Sequence, residues 1–239
     1  MIIFISPAKT FSKQLNPYHS EPIFITHAKK LVHDLNQKTD LELKTSMKLS
    51  DALLLDVKKH LHLFGVSKGA AIHLYDGYAF KGLNINAYSR KDLEYLSSHL
   101  YILSGLYGLL RPFDGISTYR LELKDKGLGN LYHYWEKLIN DYLDTHHQNE
   151  LLIDLASTEY QKILNERDNL YHIKFYENEN GHLKTISMHV KYMRGLMASY
   201  LIKNRINSIE SIKKINLENY KYNQDLSTSH ELIFIKEGN

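Results

Sequence analysis

The sequence predicts an α/β (α+β) protein, a single domain with a mixed β-sheet flanked by helices. Short apolar runs alternate with helix-period segments along the chain, which is the pattern of a sheet covered by helices. One pair of alternating segments is separated by little more than the turn-forming stretch ENENG, and so reads as an antiparallel hairpin. Four prolines, three of them before residue 23, and the absence of any Pro/Gly/Ser-rich stretch leave no linker, so one domain over residues 1–239 is expected.

In chain order, IIFI (2–5) has the continuous hydrophobicity of a strand buried on both faces. Residues 25–36 place Ile25, Ala28, Leu31, Val32 and Leu35 on one helical stripe. Ser50 is suited to cap a helix over DALLLDVKKHLHLF, which Gly65 would stop. AAIHLY (70–75) reads as a strand. Ser89 caps RKDLEYLSSH as a helix, and LYIL (100–103) follows as a strand. Residues 119–123 alternate as a strand would. LYHYWEKLINDYLD (131–144) is helical, ELLIDL (150–155) is a strand, and Ser157 opens a further helix. Residues 171–176 and 183–188 form the hairpin. Residues 189–203 make a long helix with His189, Met193, Leu196 and Met197 toward the core, and ELIFIK (231–236) is a final strand.

Composition narrows the chemistry. The chain has no cysteine, which excludes thiol peroxidase chemistry, thiolate zinc sites and cysteine-ligated clusters. No apolar run reaches the roughly 20 residues of a membrane helix, and no signal-peptide pattern is visible, so a cytoplasmic protein without membrane partners is expected. The net charge is +3. Residues 1–120 carry 15 basic and 10 acidic groups, and the remainder carries 15 and 17. No dense His/Asp/Glu set suggests a metal site, and no cofactor motif is present.

Nine of the twelve glycines lie between Gly65 and Gly129. The densest segment, ILSGLYGLLRPFDGISTYRLEL (102–123), follows a strand end, where α/β proteins tend to hold ligands. Ser104, Gly105, Tyr107 and Gly108 could offer turn N–H groups to an anion, and Arg111 lies just beyond. Arg120 and Glu122, two residues apart, share one side of the chain. They form either a structural ion pair or a polar site. Lys9 in SPAKT follows the first strand. Lys191 and Arg194, at i and i+3, share a helix face without an adjacent carboxylate. Anion or nucleic-acid binding is therefore expected at Lys9, Ser104, Gly105, Tyr107, Gly108, Arg111, Arg120, Lys191 and Arg194. Glu122, Glu159 and Lys9 are the candidates for proton transfer or charge stabilisation.

Six ordered strings carry a family resemblance: ISPAKTF (5–11), LYDGYAFKGL (74–83), YILSGLYGLLRPFDGISTYRLEL (101–123), YHYWEKLINDYL (132–143), LIDLASTEY (152–160) and VKYMRGLMASYLI (190–202). Together they span nearly the whole chain and resemble the YaaA family of bacterial peroxide-stress proteins. The resemblance implies one mixed α/β domain, a role in surviving hydrogen peroxide by limiting free iron and DNA damage, and DNA as a partner. It also implies a helix-hairpin-helix-like element, for which ILSGLYGLLRP is the matching segment, although its glycines are three apart rather than two. The chain departs from the family pattern at Ser117-Thr118, Thr158, His189 and Tyr192. Related families occur beside nucleic-acid-modification systems, which implies the alternative of an enzyme or binding protein for a nucleotide or nucleobase. Direct iron sequestration is disfavoured by the sparse ligand set. A closed cleft joining Lys9, Arg120, Glu122 and Lys191 would favour a small ligand, and an open basic groove would favour nucleic acid.

Overall fold

The computed structural model describes residues 1–237. The first strand, β1 (Ile2–Ile5), is buried at every position, as its unbroken apolar run requires. Three helices follow: α1 (Ile25–Asn36), α2 (Asp40–Met47) and α3 (Asp51–Leu63). Helix α1 buries Ala28, Leu31, Val32 and Leu35, the predicted stripe. Helix α2 starts on a reciprocal cap between Thr39 and Glu42. Ser50 caps α3 by accepting from the Leu53 N–H.

Residues 70–75 are not the predicted strand. Gly69–Ala70 pairs, as β2, Ala71–Leu74 makes a single turn, α4, and Tyr75 forms one isolated bridge with Phe11. Helix α5 (Tyr78–Leu83) and α6 (Arg90–His99) follow, and Ser89 and Asp92 cap the latter reciprocally. Then come β3 (Leu100–Ser104), β4 (Gly108–Leu110) and β5 (Gly115–Ile116), the last paired with β2 in a small separate sheet.

The segment expected to resemble a helix-hairpin-helix is instead a β-hairpin. Strands β3 and β4 are antiparallel, with Ser104 opposite Gly108. The three residues between them turn the chain, and Gly108 takes φ 71°, the left-handed conformation that closes such a loop. Every residue of β3 is buried, and β3 pairs with β1 on its other side, so it belongs to the sheet and not to a helical pair. Residues 119–123 form no ladder either. The burial of Tyr119, Leu121 and Leu123 arises from packing over the β3–β4 turn, which produces strand-like alternation without a strand.

Helix α7 (Leu131–His146), strand β6 (Leu152–Asp154) and the short α8 (Thr158–Gln161) lead to β7 (Leu170–Glu179) and β8 (His182–Lys184). The predicted hairpin is present. Its turn is Asn180-Gly181, with φ of 54° and 83°, the two left-handed residues of the turn that best matches strand twist. Its second arm is only three residues long, because α9 (Ser187–Lys203) begins soon after. In α9, Met193 and Met197 are buried as expected. His189 is exposed and bonds Glu177 at 2.7 Å instead of facing the core. The chain then runs through α10 (Ile209–Lys213), β9 (Asn216–Leu217) and β10 (Tyr220–Tyr222) to β11 (Glu231–Glu237).

Among the described residues, nine strands form one mixed sheet in the order β4-β3-β1-β6-β7-β11-β10-β9, with β8 added to β7. The five central strands, β3-β1-β6-β7-β11, are all parallel. Within them the chain moves from β1 to β3 on one side and then crosses to β6 on the other. The order therefore reverses at β1. The connections leaving the carboxyl ends of β1 and β6 lead to opposite sides of the sheet order, the place where such sheets hold a ligand crevice. Helix α9 packs on α5 by backbone-to-backbone approach. A Cβ added to Gly195 would lie 1.7 Å from the Ala79 carbonyl oxygen, and one added to Gly82 would lie 2.1 Å from that of Tyr192.

Candidate functional site

A cleft of about 640 Å³ occupies that crevice. Ser6 and Pro7 leave β1, and Lys9 follows at the rim. Ser157 sits just beyond β6, and its backbone N–H donates to Ser6 Oγ at 2.7 Å. The two strand exits are thereby tied together, and Lys9 and Glu159 face one space. Arg120 and Glu122 come from the irregular segment after β5, Tyr78 and Phe80 from α5, and Lys191 and Arg194 from α9.

Four cations and two carboxylates thus line one cleft. They are not equivalent. Glu122 sits between Lys9 and Lys124, with its Oε2 2.7 Å from Lys124 Nζ. Burial pushes its carboxyl up, but the hydrogen bonds and charges of Lys124 and Lys9 outweigh burial and hold it below the usual range. It is a neutralised structural anion. Lys124 also reaches Glu159 Oε2 at 3.4 Å. Arg120, Lys191 and Arg194 form no ion pair among the described residues, so the cleft keeps an excess of positive charge that suits an anion.

Among the described residues, two side-chain atoms of its lining residues, Glu159 Oε1 and Arg194 Nε, are buried without a hydrogen-bond partner. Such a group costs about 1–3 kcal/mol when left unpaired, so a small turn of either side chain toward the cavity would let a bound molecule pair it. Burial pulls the Arg194 guanidinium below its ordinary pKa, and the Asp154 charge opposes this.

Beneath the floor lies a chain of hydroxyls. The Tyr119 hydroxyl is 2.7 Å from that of Tyr75 and 2.8 Å from Ser104 Oγ. Burial pushes Tyr119 up to about 12, so these groups remain neutral donors and acceptors. Five of the residues expected to bind an anion lie outside the cleft. Ser104 is buried and also accepts the Tyr107 N–H. Tyr107 is buried and its hydroxyl accepts the Ser117 N–H at 3.0 Å. The Gly105 carbonyl accepts Trp135 Nε1–H at 2.9 Å, and Gly108 lies against the Trp135 ring. Arg111 is held by Asp114 and the Glu21 carbonyl. Lys9, Arg120, Lys191 and Arg194 do line the cleft, as do all three candidates for proton transfer or charge stabilisation. Sequence reasoning passed over Tyr78, although LYDGYAF placed an aromatic directly after a glycine, and over the buried Asp154.

Asp154 ends β6, accepts the Ala156 N–H at 2.8 Å and lies 2.8 Å from His172 Nδ1 on β7. The other ring nitrogen of His172 is 3.3 Å from Glu166. Burial works against protonation of His172, but the bond and charge of Asp154, joined by Glu166, raise its pKa overall. A raised folded-state pKa stabilises the protein fully below the unfolded value of about 6.5, and that contribution is lost as pH rises through the folded value. Denaturation midpoints should therefore fall as pH is raised above neutrality, and His172→Gln should flatten that dependence. An identical slope in the variant would show that the pair does not couple to folding.

No helix among the described residues is long and apolar enough to cross a membrane. The fold and cleft define a class: an α/β protein with an electropositive crevice at the strand-order reversal of its parallel strands. A family described as peroxide stress protein YaaA matches residues 1–226. UPF0246 proteins of Clostridium botulinum (strain Eklund 17B), Clostridioides difficile (strain 630) and Legionella pneumophila (strain Philadelphia 1) are 40%, 36% and 36% identical to the chain. Each alignment covers 99% of this chain and at least 99% of the relative. The chain belongs to the YaaA (UPF0246) family of peroxide stress proteins.

Proposed function

We propose that the protein serves the response to hydroperoxide by holding a nucleotide or nucleobase in this cleft. The observation that carries the reading is convergence: Lys9, Arg120, Glu122, Glu159, Lys191 and Arg194 come from separate parts of the chain and line one cavity. A volume of about 640 Å³ falls within the usual range of about 300–1,000 Å³ for small-ligand sites. A duplex cannot enter it. The apolar faces of Tyr78, Phe80 and Val190 offer a wall for a flat ring, and the unpaired cations offer a site for phosphate. In this reading Glu159, not the doubly paired Glu122, is the group free to accept a proton or a hydrogen bond.

A second reading, DNA binding that limits iron-dependent damage in the cytoplasm, is favoured by the exposed rim. The Lys9 side chain is 64% exposed, and Lys191 is exposed on α9. Phosphates of a strand passing over the cleft would meet these two cations. Salt separates the readings. Binding of nucleoside monophosphates, gapped DNA and duplex DNA should be titrated between about 50 and about 200 mM salt. The cleft reading expects nucleotide binding that weakens only modestly, with a log–log slope near −1. Duplex binding with a slope of about −0.9 per phosphate contacted, and no nucleotide binding, would replace it with the DNA reading.

A further inference from the structure

The two unpartnered atoms of the cleft differ in kind. Glu159 Oε1 can only accept while the carboxylate is ionised, and its sister oxygen already faces Lys124. Turned toward the cavity, this buried oxygen would take an N–H or O–H group of the ligand. Arg194 Nε can only donate. It is joined by Lys191 on the same helix and by the start of α9. There no side chain caps the first turn, and Thr185 and Ser187 line the cavity. Uncapped N–H groups, a guanidinium and an ammonium on one wall call for an oxyanion. Tyr78, Phe80, Leu155 and Val190 supply apolar lining in the same cavity. A ligand that satisfies all three demands has a hydrogen-bond donor, an oxyanion and a flat apolar body.

We infer that the cleft takes a nucleoside monophosphate unit in one orientation, with its phosphate on the Arg194–Lys191 wall and the exocyclic amino group of its base on Glu159. This rests on the nucleotide reading above and adds to it a base preference. An acceptor-only carboxylate favours cytosine over uracil and adenine over hypoxanthine, because the second member of each pair presents a carbonyl where the first presents an amine. The pairs match closely in size and charge, so the comparison isolates that one group.

The test is calorimetric titration of CMP against UMP, and of AMP against IMP, into the unmodified protein and into Glu159→Gln and Arg194→Lys, with circular dichroism to check folding. The intact protein should favour the amino member of at least one pair by about 5- to 150-fold, the range for one well-placed base contact. Glu159→Gln should bring that ratio toward one, because an amide can donate as well as accept. Arg194→Lys should weaken every nucleotide by a similar factor and leave the ratio standing. Nucleotides that bind the intact protein with both ratios near one would overturn the base preference and leave the nucleotide reading in place. Failure of all four to bind would remove both.

Discussion

Gly195→Ala is expected to cost at least about 3 kcal/mol of stability, which for a domain of this size lowers the melting temperature by about 6–12 °C. Intrinsic helix propensity predicts the opposite. Gly195 lies in the middle of a 17-residue helix, where alanine is normally better by about 1 kcal/mol. The close approach of α5 reverses the sign. The new Cβ would lie 1.7 Å from the Ala79 oxygen and 2.8 Å from the Leu83 nitrogen. Both are backbone atoms, so no side-chain rotation relieves the overlap and the two helices must separate. Gly82→Ala drives its Cβ to 2.1 Å from the Tyr192 oxygen and should behave alike. Function should fall with stability, because α5 carries Tyr78 and Phe80 into the cleft and α9 carries Lys191 and Arg194. The width of the cleft is set by this contact. Gly69→Ala is the control: its Cβ meets nothing closer than 3.5 Å, and its melt should shift by no more than a degree or two. A Gly195→Ala melt indistinguishable from that control would refute the close contact.

Those glycines illustrate what the sequence reveals and where it stops. The cluster from Gly65 to Gly129 correctly marks backbone under special constraint, but a glycine does not announce what it makes room for. Around Gly105 the space is filled by the Leu121 carbonyl, and at Gly108 by the Trp135 ring. A turn that reads as an anion cradle is in fact a support for the segment bearing Arg120 and Glu122. Strands were legible where burial and pairing coincide, as in IIFI, and helices where a cap and a stripe coincide, as at Ser50 and Ser89. They were misread where burial occurs without pairing, as in residues 119–123, or where only two residues pair, as at Gly69–Ala70. Helix α2 went unread although Thr39 and Glu42 form its reciprocal cap, because its eight residues bury only Leu43 and Met47 and show no clear stripe. Of the site, the charges after strand ends and on α9 were legible from position. The partnering that divides them was not, since Lys124 approaches both Glu122 and Glu159 only in three dimensions.

The support role of the β3–β4 turn leads to the second large effect. Trp135 is fully buried in α7, packs beneath Gly108 and donates from Nε1 to the Gly105 carbonyl. Trp135→Ala should cost about 3–5 kcal/mol, the usual range for an aromatic removed from a core. Trp135→Phe keeps much of the volume but leaves the Gly105 carbonyl without its partner, which alone is worth about 1–3 kcal/mol. The consequence reaches the cleft by a short route. A Cβ on Gly105 would sit 2.3 Å from the Leu121 oxygen and 3.1 Å from the Glu122 Cα, so the backbone bearing Glu122 rests directly on this turn. If the turn loosens, Glu122 loses its fixed place between Lys9 and Lys124, and Lys124 is no longer held beside Glu159. Trp135→Phe should therefore weaken ligand binding more than its modest loss of stability explains, at temperatures well below its melt. Denaturation followed by circular dichroism, together with titration of the same samples, separates the two effects. Binding equal to the unmodified protein in a measurably destabilised Trp135→Phe variant would show that the turn anchors the core but not the cleft.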